Sequence, residues 1–300
     1  MYDIKALKKT SGDIERLTKE IDKMNQGEFQ ADTRYWKPTR DKAGNASAII
    51  RFLPSPPMDG EDGLPWSQPL FHHSFQGPTG KWYIENSLTT LKKNDPVSEF
   101  NSKLWERGKV DDSPERKQAR KQKRKLSYVS NILVVADPQA PENEGKVFLY
   151  SYGVKIWDKI QNTIKPPKDD LDPVEPVPVF DPWLGANFKL KVKTIAQKGE
   201  IRGMPNYDDS VFMAPSPIGT DDEIEKIWKS EYSLKAITGP DQFKSYEELK
   251  SRLNFVMGEN SEPQTEVSPE SEDISVPFDT KNTADSDDED LAAFRKLAEE

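Results

Sequence analysis

The sequence predicts a mainly β fold with peripheral helices, in which short strands form a small barrel. The strand-like runs are short and irregularly spaced, and Pro-rich loops such as residues 54–57 and 166–182 separate them. Such a pattern is typical of small β-barrels rather than of alternating strands and helices. The predicted strands are residues 48–53, 81–84, 127–135, 147–152 and 188–195.

Helices are predicted at both ends of this body and once within it. Residues 1–26 carry apolar side chains at helical spacing and predict a helical arm; these are Ile14, Leu17, Ile21 and Met24. Residues 155–164 predict a short helix. Thr220 precedes an acidic first turn, and Ser245 with Glu248 forms a capping box, so two further helices are expected to close the body.

Charge is distributed unevenly along the chain. Seven basic residues and no acidic one lie between Arg116 and Lys125, whereas residues 259–300 contain 14 acidic and three basic residues. A dense cationic run indicates a polyanion ligand, and an acidic tail indicates an intramolecular competitor for it. The tail is also rich in Ser, Thr and Pro and is expected to be disordered. The alternative is a solvated basic loop beside a tail without a binding role.

Several functional classes have no support in the sequence. There is no run of about 18 apolar residues, so no transmembrane helix is expected. The N-terminus lacks the apolar core of a signal peptide. The absence of cysteine excludes disulfides and thiolate metal sites and fits a reducing cytoplasm.

We also expect the protein not to be an enzyme. The motifs of phosphate-binding loops, zinc proteases and serine hydrolases are missing. The two histidines, His72 and His73, are adjacent and point in opposite directions on an extended segment. A metal-dependent nuclease using Asp169, Asp208 or Asp209 remains an alternative.

One predicted strand carries a ladder of lysines. Lys189, Lys191 and Lys193 alternate with apolar residues and therefore share one face of the strand. Their spacing of roughly 6.6 Å, twice the rise per strand residue, suits the phosphates of an extended nucleic-acid strand. The alternative is a lysine face that keeps an exposed strand soluble.

Aromatic residues recur beside cations or on the polar faces of predicted strands. Unpaired bases need flat rings, and their phosphates need Lys or Arg, so this combination favours single strands over duplex. Each ring alone could instead be part of the core. The segments concerned are 81–83, 125–128, 150–152 and 206–207.

A series of short segments between residues 41 and 257 resembles one known family. They read IRFLP (50–54), GKWYIE (80–85), NILVV (131–135), PENEGKVF (141–148), KIWDKI (155–160) and GANF (185–188). The match at residues 141–148 is too long to arise by chance. The chain resembles the single-stranded DNA-binding proteins of T-even-type phages.

This resemblance implies a three-part organisation. Residues 1–26 would be a basic arm that contacts the neighbouring protomer on DNA through Lys8, Lys9, Thr10 and Ser11. Residues 27–258 would be an OB-fold core, a five-stranded β-barrel with a small adjoining subdomain at about residues 66–108. Residues 259–300 would be a tail that occupies the cationic cleft in the absence of DNA. It would recruit polymerase, helicase loader and recombinase, for which Leu291, Phe294 and Leu297 form a candidate docking peptide.

Combining the residue patterns with the resemblance gives a candidate DNA-binding set. It consists of Arg51, Lys81, Trp82, Tyr83, Lys121, Lys123, Arg124, Lys125, Tyr128, Tyr150, Tyr152, Lys189, Lys191, Lys193 and Tyr207.

The resemblance also raises the question of a structural zinc ion. In the family one His and three Cys often hold zinc; His73 matches the His, but the Cys positions correspond to Asn86, Asp95 and Ser98. Because Asn and Ser oxygens are poor zinc ligands, we predict that no zinc and no other cofactor is bound. Aromatic and apolar packing is expected instead, from Trp66, Phe71, Phe75, Trp82 and Leu104.

The sequence therefore predicts a cooperative, sequence-nonspecific single-stranded DNA-binding protein. It would act in phage DNA replication, recombination and repair, in the cytoplasm of the infected bacterium and without a membrane. An RNA-binding regulator using the same surface is the alternative, and a nuclease the weaker one.

Overall fold

The computed structural model describes residues 32–60, 66–167, 174–195 and 204–259. Within these ranges eight strands are present: β1 (Ala46–Phe52), β2 (Gln68–Gln76), β3 (Trp82–Asn86), β4 (Lys125–Ala136), β5 (Val147–Gly153), β6 (Ala186–Ile195), β7 (Met204–Asn206) and β8 (Val211–Pro215). The α-helices of the same ranges are α1 (Pro96–Arg107), α2 (Pro114–Lys121), α3 (Val154–Ile164), α4 (Asp221–Lys229) and α5 (Tyr246–Met257). Short 3-10 helices lie at Pro57–Asp59, Leu88–Leu91, Pro141–Asn143, Lys235–Thr238 and Pro240–Gln242.

The strands form an antiparallel sheet that is organised around β4. Its order is β3-β2-β4-β1-β6-β7, with β5 also paired to β4 and β8 also paired to β6. One edge of β4 pairs with β2 over residues 125–129 and then with β1 over residues 132–136, whereas the other edge pairs with β5. The result is a half-barrel, consistent with an OB-like core.

The main core lies on the concave side of this half-barrel, which we call the inner face. Directly paired residues share a face, and the pairs Ile50–Val134, Phe52–Ile132 and Ile50–Phe188 are all fully buried. Alternation along each strand then places the intervening residues on the outer face. Rings of Phe52, Phe180 and Phe188 meet in this core with centroid distances of 5.8 Å.

A second core lies where β2 and β3 extend beyond the half-barrel. Phe75 and Tyr83 pair across the two strands and stack at 5.1 Å, and Leu249, Leu253 and Val256 of α5 cover them. This core belongs to the small subdomain that contains α1, α2 and α5. A third, smaller cluster covers the outer face of β4 and β5, and consists of Val129, Leu149, Leu234 and Ile237.

Local sequence signals explain the helix ends. The side chain of Glu248 accepts hydrogen bonds from the backbone N–H and hydroxyl of Ser245, at 2.8 and 2.6 Å, and the Thr220 backbone N–H donates to Glu223 in the same way. α5 ends at Gly258, whose φ of 81° favours glycine.

Much of the predicted secondary structure is confirmed. The mainly β architecture, all five predicted strands and the helices after Gly153, Thr220 and Ser245 are present. Two helices were not predicted. Residues 96–107 form α1, and residues 114–121, which include part of the cationic run, form α2.

The remaining architectural expectations stay predictions. The pairings described here form an open, branched sheet, so the closed five-stranded barrel is not established by them. The arm at residues 1–26 and nearly all of the acidic tail, including Leu291, Phe294 and Leu297, lie outside the described residues. None of the described helices is both long and apolar enough to span a membrane.

Candidate nucleic-acid interface

We call the part of the inner face that lies between the main core and the second core the candidate cleft. Tyr128 of β4 packs against the main core, and Phe75 of β2 belongs to the second. Between them Leu126 pairs with Phe71, and both share the face of Tyr128 because alternate strand residues point the same way. Leu126 and Phe71 are only partly buried, so they form an accessible floor.

A cation lies directly above this floor. The guanidinium carbon of Arg124 is 4.1 Å from the centroid of the Phe71 ring. A cation over an aromatic face is held there by the ring quadrupole, and guanidinium geometry matches that of a phosphate. Arg124 therefore combines a fixed position with the chemistry that phosphate binding requires.

The other predicted cations of this segment surround Arg124. Lys121 is exposed at the end of α2, and Lys123 is partly buried in the turn that leads to β4. Lys125 lies beside His72 on the opposite face of the strand, and burial lowers its pKa. Burial also lowers the pKa of His72 to about 3, with a further contribution from Lys125. His72 is therefore neutral at physiological pH.

An aromatic stack forms the wall of the cleft on the side of the main core. The Tyr128 ring lies 4.4 Å from the Trp157 ring of α3 with an interplanar angle of 12°. Its other neighbour is Tyr152, at 5.9 Å and 22°. Burial, followed by the nearby Asp158 carboxylate, raises the pKa of Tyr128, so its hydroxyl stays protonated. Half-buried stacked rings beside a guanidinium suit an unpaired base and its phosphate.

The basic helix α2 contributes less positive potential than its sequence indicates. Arg116 and Arg120 form ion pairs with Asp111 at 3.3 and 2.6 Å, and Lys117 pairs with Asp112 at 3.5 Å. Both arginines also lie over the Trp105 ring of α1, at 4.5 and 5.5 Å. Three of the seven cations of the run are thus engaged within the subdomain.

The lysine ladder lies away from the cleft. The residues between its lysines, Phe188, Leu190 and Val192, are buried in the main core, so Lys189, Lys191 and Lys193 lie on the outer face. Lys193 also forms an ion pair with Asp209. The structure confirms the predicted alternation but does not bring the ladder together with Tyr128 and Arg124.

Lys81 and Trp82 form a separate group on β3. The Lys81 ammonium lies 3.7 Å from the centroid of the Phe255 ring, and the Trp82 carbonyl accepts a hydrogen bond of 3.0 Å from Arg252. Trp82 is 43% exposed. It pairs with Gln76 and therefore lies on the face opposite to Tyr83 and Phe71.

The prediction that Arg51 binds DNA was wrong. Its side chain is fully buried, and its guanidinium donates to the carbonyl of Asp181 at 2.8 Å and to Asn187 at 3.4 Å. Burial lowers the pKa of Arg51 to about 10, against a smaller opposing effect of Asp181. Arg51 therefore ties β1 to the loop before β6 and does not reach solvent.

Three predicted tyrosines are core residues, and their assignment to DNA contacts was wrong. Tyr83 lies in the second core, and Tyr150 and Tyr152 lie in the main core, each at most 4% exposed. Burial raises the pKa of all three hydroxyls. The Tyr152 hydroxyl is 2.9 Å from the hydroxyls of Ser67 and Ser130, so its role is structural.

Tyr207 occupies an intermediate position. It is partly buried and packs against the main core near Tyr150 rather than in the floor of the cleft. Of the predicted set, Lys121, Lys123, Arg124 and Tyr128 thus lie near the cleft, whereas Lys125 is adjacent in sequence but lies on the opposite face of the strand.

The comparison with protein families gives this geometry a context. The family model described as "gp32 DNA binding protein like" matches residues 44–257. The chain belongs to this family. The matched range contains all the strands and helices of the described residues.

Phage proteins with one shared name are similar over most of the chain. The "Single-stranded DNA-binding protein" of Enterobacteria phage T2 is 42% identical over 243 residues, which are 78% of this chain and 74% of that protein. The protein of the same name from Enterobacteria phage T4 is 42% identical over 242 residues, 78% of this chain and 73% of its own. A third, from Escherichia phage SV14, is 40% identical over 82 residues, 26% of this chain and 68% of its own.

His73 and Asp95 lie at the position where the resemblance to this family implies a zinc ion. His73 and Asp95 are both 1% exposed, and the imidazole Nε2 lies 3.2 Å from the carboxylate Oδ1. The two atoms are in contact without an aligned hydrogen bond. The other ring nitrogen, Nδ1, lies 3.0 Å from the carbonyl oxygen of Gln122 and therefore donates to it.

Asp95 is already fully engaged by protein groups. Oδ1 accepts from the backbone N–H groups of Val97 and Ser98 at 3.0 Å and caps α1, while Oδ2 accepts from Ser87 at 2.9 Å and from Leu88 at 3.1 Å. Burial raises the pKa of Asp95, but His73 and these donors outweigh it and hold the pKa at about 2.

The residues at this position therefore do not fit zinc. The side-chain N–H of Asn86 donates to the carbonyl of Gln242, so this residue is engaged elsewhere. In the described part of the chain no cluster of three or more His, Cys, Asp or Glu residues could hold a metal ion. The nuclease candidates are similar: Asp209 pairs with Lys193, Asp208 accepts from Asn206 at 2.6 Å, and Asp169 lies outside the described residues.

The sequence reasoning misjudged several aromatic residues of this region. Phe75 packs in the second core as expected, but Trp82 is exposed and Phe71 forms the cleft floor. Trp157 was not part of the predicted set. The position of Phe71 follows from the strand register, since Phe71 pairs opposite Leu126 in the strand that follows the cationic run.

Proposed function

We propose that the protein binds single-stranded DNA cooperatively and without sequence preference during phage DNA replication. The observation that carries this proposal is the arrangement of Arg124 over Phe71 beside the Tyr128–Trp157 stack, in a cleft between two cores. Membership in a DNA-binding family, and relatives named single-stranded DNA-binding protein, support the same ligand.

The chemistry of the cleft divides the binding energy into two parts. Cations supply affinity through phosphates and counterion release, so binding should weaken steeply with salt. Rings supply preference for unpaired bases, because each base stacked on an aromatic ring contributes about 1–3 kcal/mol. A duplex offers only phosphates to this surface and should bind more weakly.

A titration of the intrinsic Trp fluorescence with thymidylate oligonucleotides of increasing length tests the proposal. The chain has seven Trp residues, and Trp157 lies in the proposed wall. We expect saturable quenching that tightens with length and weakens with salt. Poly(U) and duplex DNA are the matched competitors: equal or tighter binding of poly(U) would favour an RNA ligand, and equal binding of duplex would contradict the role of the rings.

The finer assignments belong to the same proposal. Residues 1–26, with Lys8, Lys9, Thr10 and Ser11, would mediate contacts between protomers on DNA. Deleting them should abolish clustering on long strands and leave the affinity for a short oligonucleotide nearly unchanged. Clustering that survives the deletion would contradict this role.

The acidic tail would act as a competitor for the cleft and as a docking segment. Removing residues 259–300, which carry 14 acidic and three basic residues, should strengthen DNA binding at low salt. Leu291, Phe294 and Leu297 would bind polymerase, helicase loader or recombinase, and this recruitment would extend the role to recombination and repair. Unchanged salt-dependent affinity after truncation would contradict the competitor role.

Zinc independence is also part of the proposal. The buried His73–Asp95 pair occupies the position where the family resemblance implies a metal, and its oxygen atoms are already used. The protein purified without chelator should contain no stoichiometric zinc by mass spectrometry. By analogy with its phage relatives, the protein would act in the infected bacterial cell.

A further inference from the structure

An exposed tryptophan lies just outside the predicted binding set. Trp66 precedes β2, is 50% exposed, and stacks on Phe180 with a centroid distance of 5.3 Å and an interplanar angle of 15°. Phe180 is 5% exposed and meets Phe52 edge to face in the main core. The indole ring of Trp66 is therefore fixed from behind by the core and presents an accessible aromatic surface.

This ring lies next to the cleft on the inner face. Ser67, the residue after Trp66, is hydrogen-bonded to the Tyr152 hydroxyl at 2.9 Å, and Tyr128 stacks on the Tyr152 ring at 5.9 Å. Tyr128 also pairs with Pro69 of β2, the strand that follows Trp66. Tyr128 and Ser67, the residue next to Trp66, thus contact one buried tyrosine of the main core.

The sequence alone assigned Trp66 to the packing of the small subdomain, and this assignment was wrong. The second core does not include it, and its stacking partner belongs to the main core. A large aromatic ring that is held in a fixed orientation with one accessible surface can stack on a flat ligand. Unpaired bases are flat ligands that stack on such rings whatever their identity.

We propose that Trp66 is a further base-stacking residue, which extends the single-strand surface from Tyr128 across the margin of the main core. This inference rests on the proposed function, because it names an additional contact for the same ligand. Trp66 supplies no charge, so it adds preference for bases rather than for phosphates.

Two other exposed tryptophans are held by hydrogen bonds of the indole N–H. Trp183 donates to Asp221 at 2.8 Å, and Trp228 donates to the carbonyl of Ser55 at 2.8 Å. These bonds tie the indoles to a helix and to a loop. Trp183, which is also 50% exposed, is therefore a matched control for Trp66.

The test compares Trp66→Ala with Trp183→Ala by fluorescence anisotropy of two dye-labelled strands. One strand is an oligothymidylate, and the other is an abasic oligomer of the same length and charge. We expect Trp66→Ala to bind the thymidylate about 5- to 150-fold more weakly, the range for one stacked base. Its affinity for the abasic strand and its salt dependence should not change, and Trp183→Ala should bind both strands as the unmodified protein does.

Three outcomes separate the possible failures. If the unmodified protein does not prefer the thymidylate over the abasic strand, the proposed function itself is contradicted. If it does, but Trp66→Ala keeps the full preference, only the role of Trp66 is wrong. Equal weakening for both strands would indicate structural damage, and Trp66→Phe tests for it. This variant keeps a ring over Phe180 and should retain most of the preference for the thymidylate. A preference as low as that of the Ala variant would overturn the inference.

Discussion

Tyr128 and Trp157 stack face to face with a centroid distance of 4.4 Å, although they come from β4 and α3. Trp157 follows Ile156 and precedes Ile160, which anchor α3 in the main core. The stack therefore has a fixed position relative to the half-barrel, and the ring of Tyr128 is presented to the cleft in one orientation.

Replacing Tyr128 should separate binding from stability. Tyr128→Leu removes the ring and should weaken binding of a short oligothymidylate by about 1–3 kcal/mol, because one stacking surface is lost. The matched variant Tyr152→Phe keeps a buried ring but loses hydrogen bonds to Ser67 and Ser130. It should lower the free energy of unfolding by about 1 kcal/mol with little effect on affinity. Fluorescence anisotropy measures the affinity, and urea unfolding measures the stability. Weaker binding by Tyr152→Phe with unchanged binding by Tyr128→Leu would contradict the assignment of the cleft.

Charge on the two faces of the sheet should have different effects. Arg124→Gln removes a cation from the cleft, and we expect weaker binding and a decrease of about one in the slope of log affinity against log salt. Lys193→Gln removes the same charge from the outer face, where Lys193 is paired with Asp209. It should leave that slope unchanged. A larger effect of Lys193→Gln than of Arg124→Gln on the salt dependence would indicate that the DNA strand binds on the outer face instead.

The pair of His73 and Asp95 should control the stability of the small subdomain. Asp95→Asn replaces a buried carboxylate that accepts four hydrogen bonds, two of them from the first turn of α1, so we expect a loss of about 1.5–3 kcal/mol in the free energy of unfolding. Thermal unfolding followed by circular dichroism measures it. Asp112→Asn, at an exposed ion pair with Lys117, is the control and should change stability by less than about 1 kcal/mol.

The same carboxylate predicts an acid limit to stability. The pKa of Asp95 is about 2 in the folded chain, below its ordinary value of 3.8, so the unfolded chain binds the proton more tightly. The stabilisation is fully present above about pH 4 and is lost as the pH falls from there towards 2. Asp95→Asn should flatten this part of the curve of unfolding free energy against pH; a curve of unchanged shape would contradict the shift.

Glu231 predicts a dependence of opposite sign. It is 2% exposed, neither carboxylate oxygen has a hydrogen-bond partner, and burial, aided by the nearby Asp59, raises its pKa to about 9. The folded chain therefore holds this proton more tightly than the unfolded one, and stability falls as the pH rises from about 4.5 to about 9. Glu231→Gln removes the titration and should stabilise the protein at pH 7 by about 2–3 kcal/mol.

Glu225→Gln is the matched control for this prediction. Glu225 lies on the exposed side of α4 and pairs with Lys229. Its replacement should leave the free energy of unfolding nearly unchanged over the same pH range. Destabilisation by Glu231→Gln at pH 7 would argue against a protonated Glu231.

The sequence predicted elements well where a periodic pattern set them. The alternation in residues 188–193 correctly placed Phe188, Leu190 and Val192 in the core and the lysines outside it. The capping box of Ser245 and Glu248 located the start of α5 correctly. In such elements the local pattern is the physical cause of the structure.

The candidate site was predicted less well because the neighbours of a ring in sequence do not determine its environment. Tyr150 and Tyr152 lie between Leu149, Ser151 and Gly153, a pattern that does not set their face, and the pairing of β5 with β4 turns both into the main core. Arg51 follows two isoleucines on a strand and is buried because the loop at Asp181 supplies carbonyl acceptors. Both outcomes depend on tertiary contacts that no local pattern encodes.

Helix α2 was not predicted, because its N-cap residues lie next to a run of basic residues that was interpreted only by its charge. Ser113 precedes Pro114 and Glu115, a combination typical of a helix N-terminus, and the Ser113 hydroxyl accepts from Arg116 at 3.3 Å. The ion pairs of Arg116 and Arg120 with Asp111 could be guessed only once the helix was known.

The continuity of β4 has a consequence for the ligand. Arg124 and Tyr128 are separated by four residue steps of nearly extended chain, so their Cα atoms lie about 13–14 Å apart. The strand cannot change this interval without breaking its ladders with β2 and β5. A single strand of DNA bound by both residues would have to span this fixed distance, and its backbone would be extended to do so.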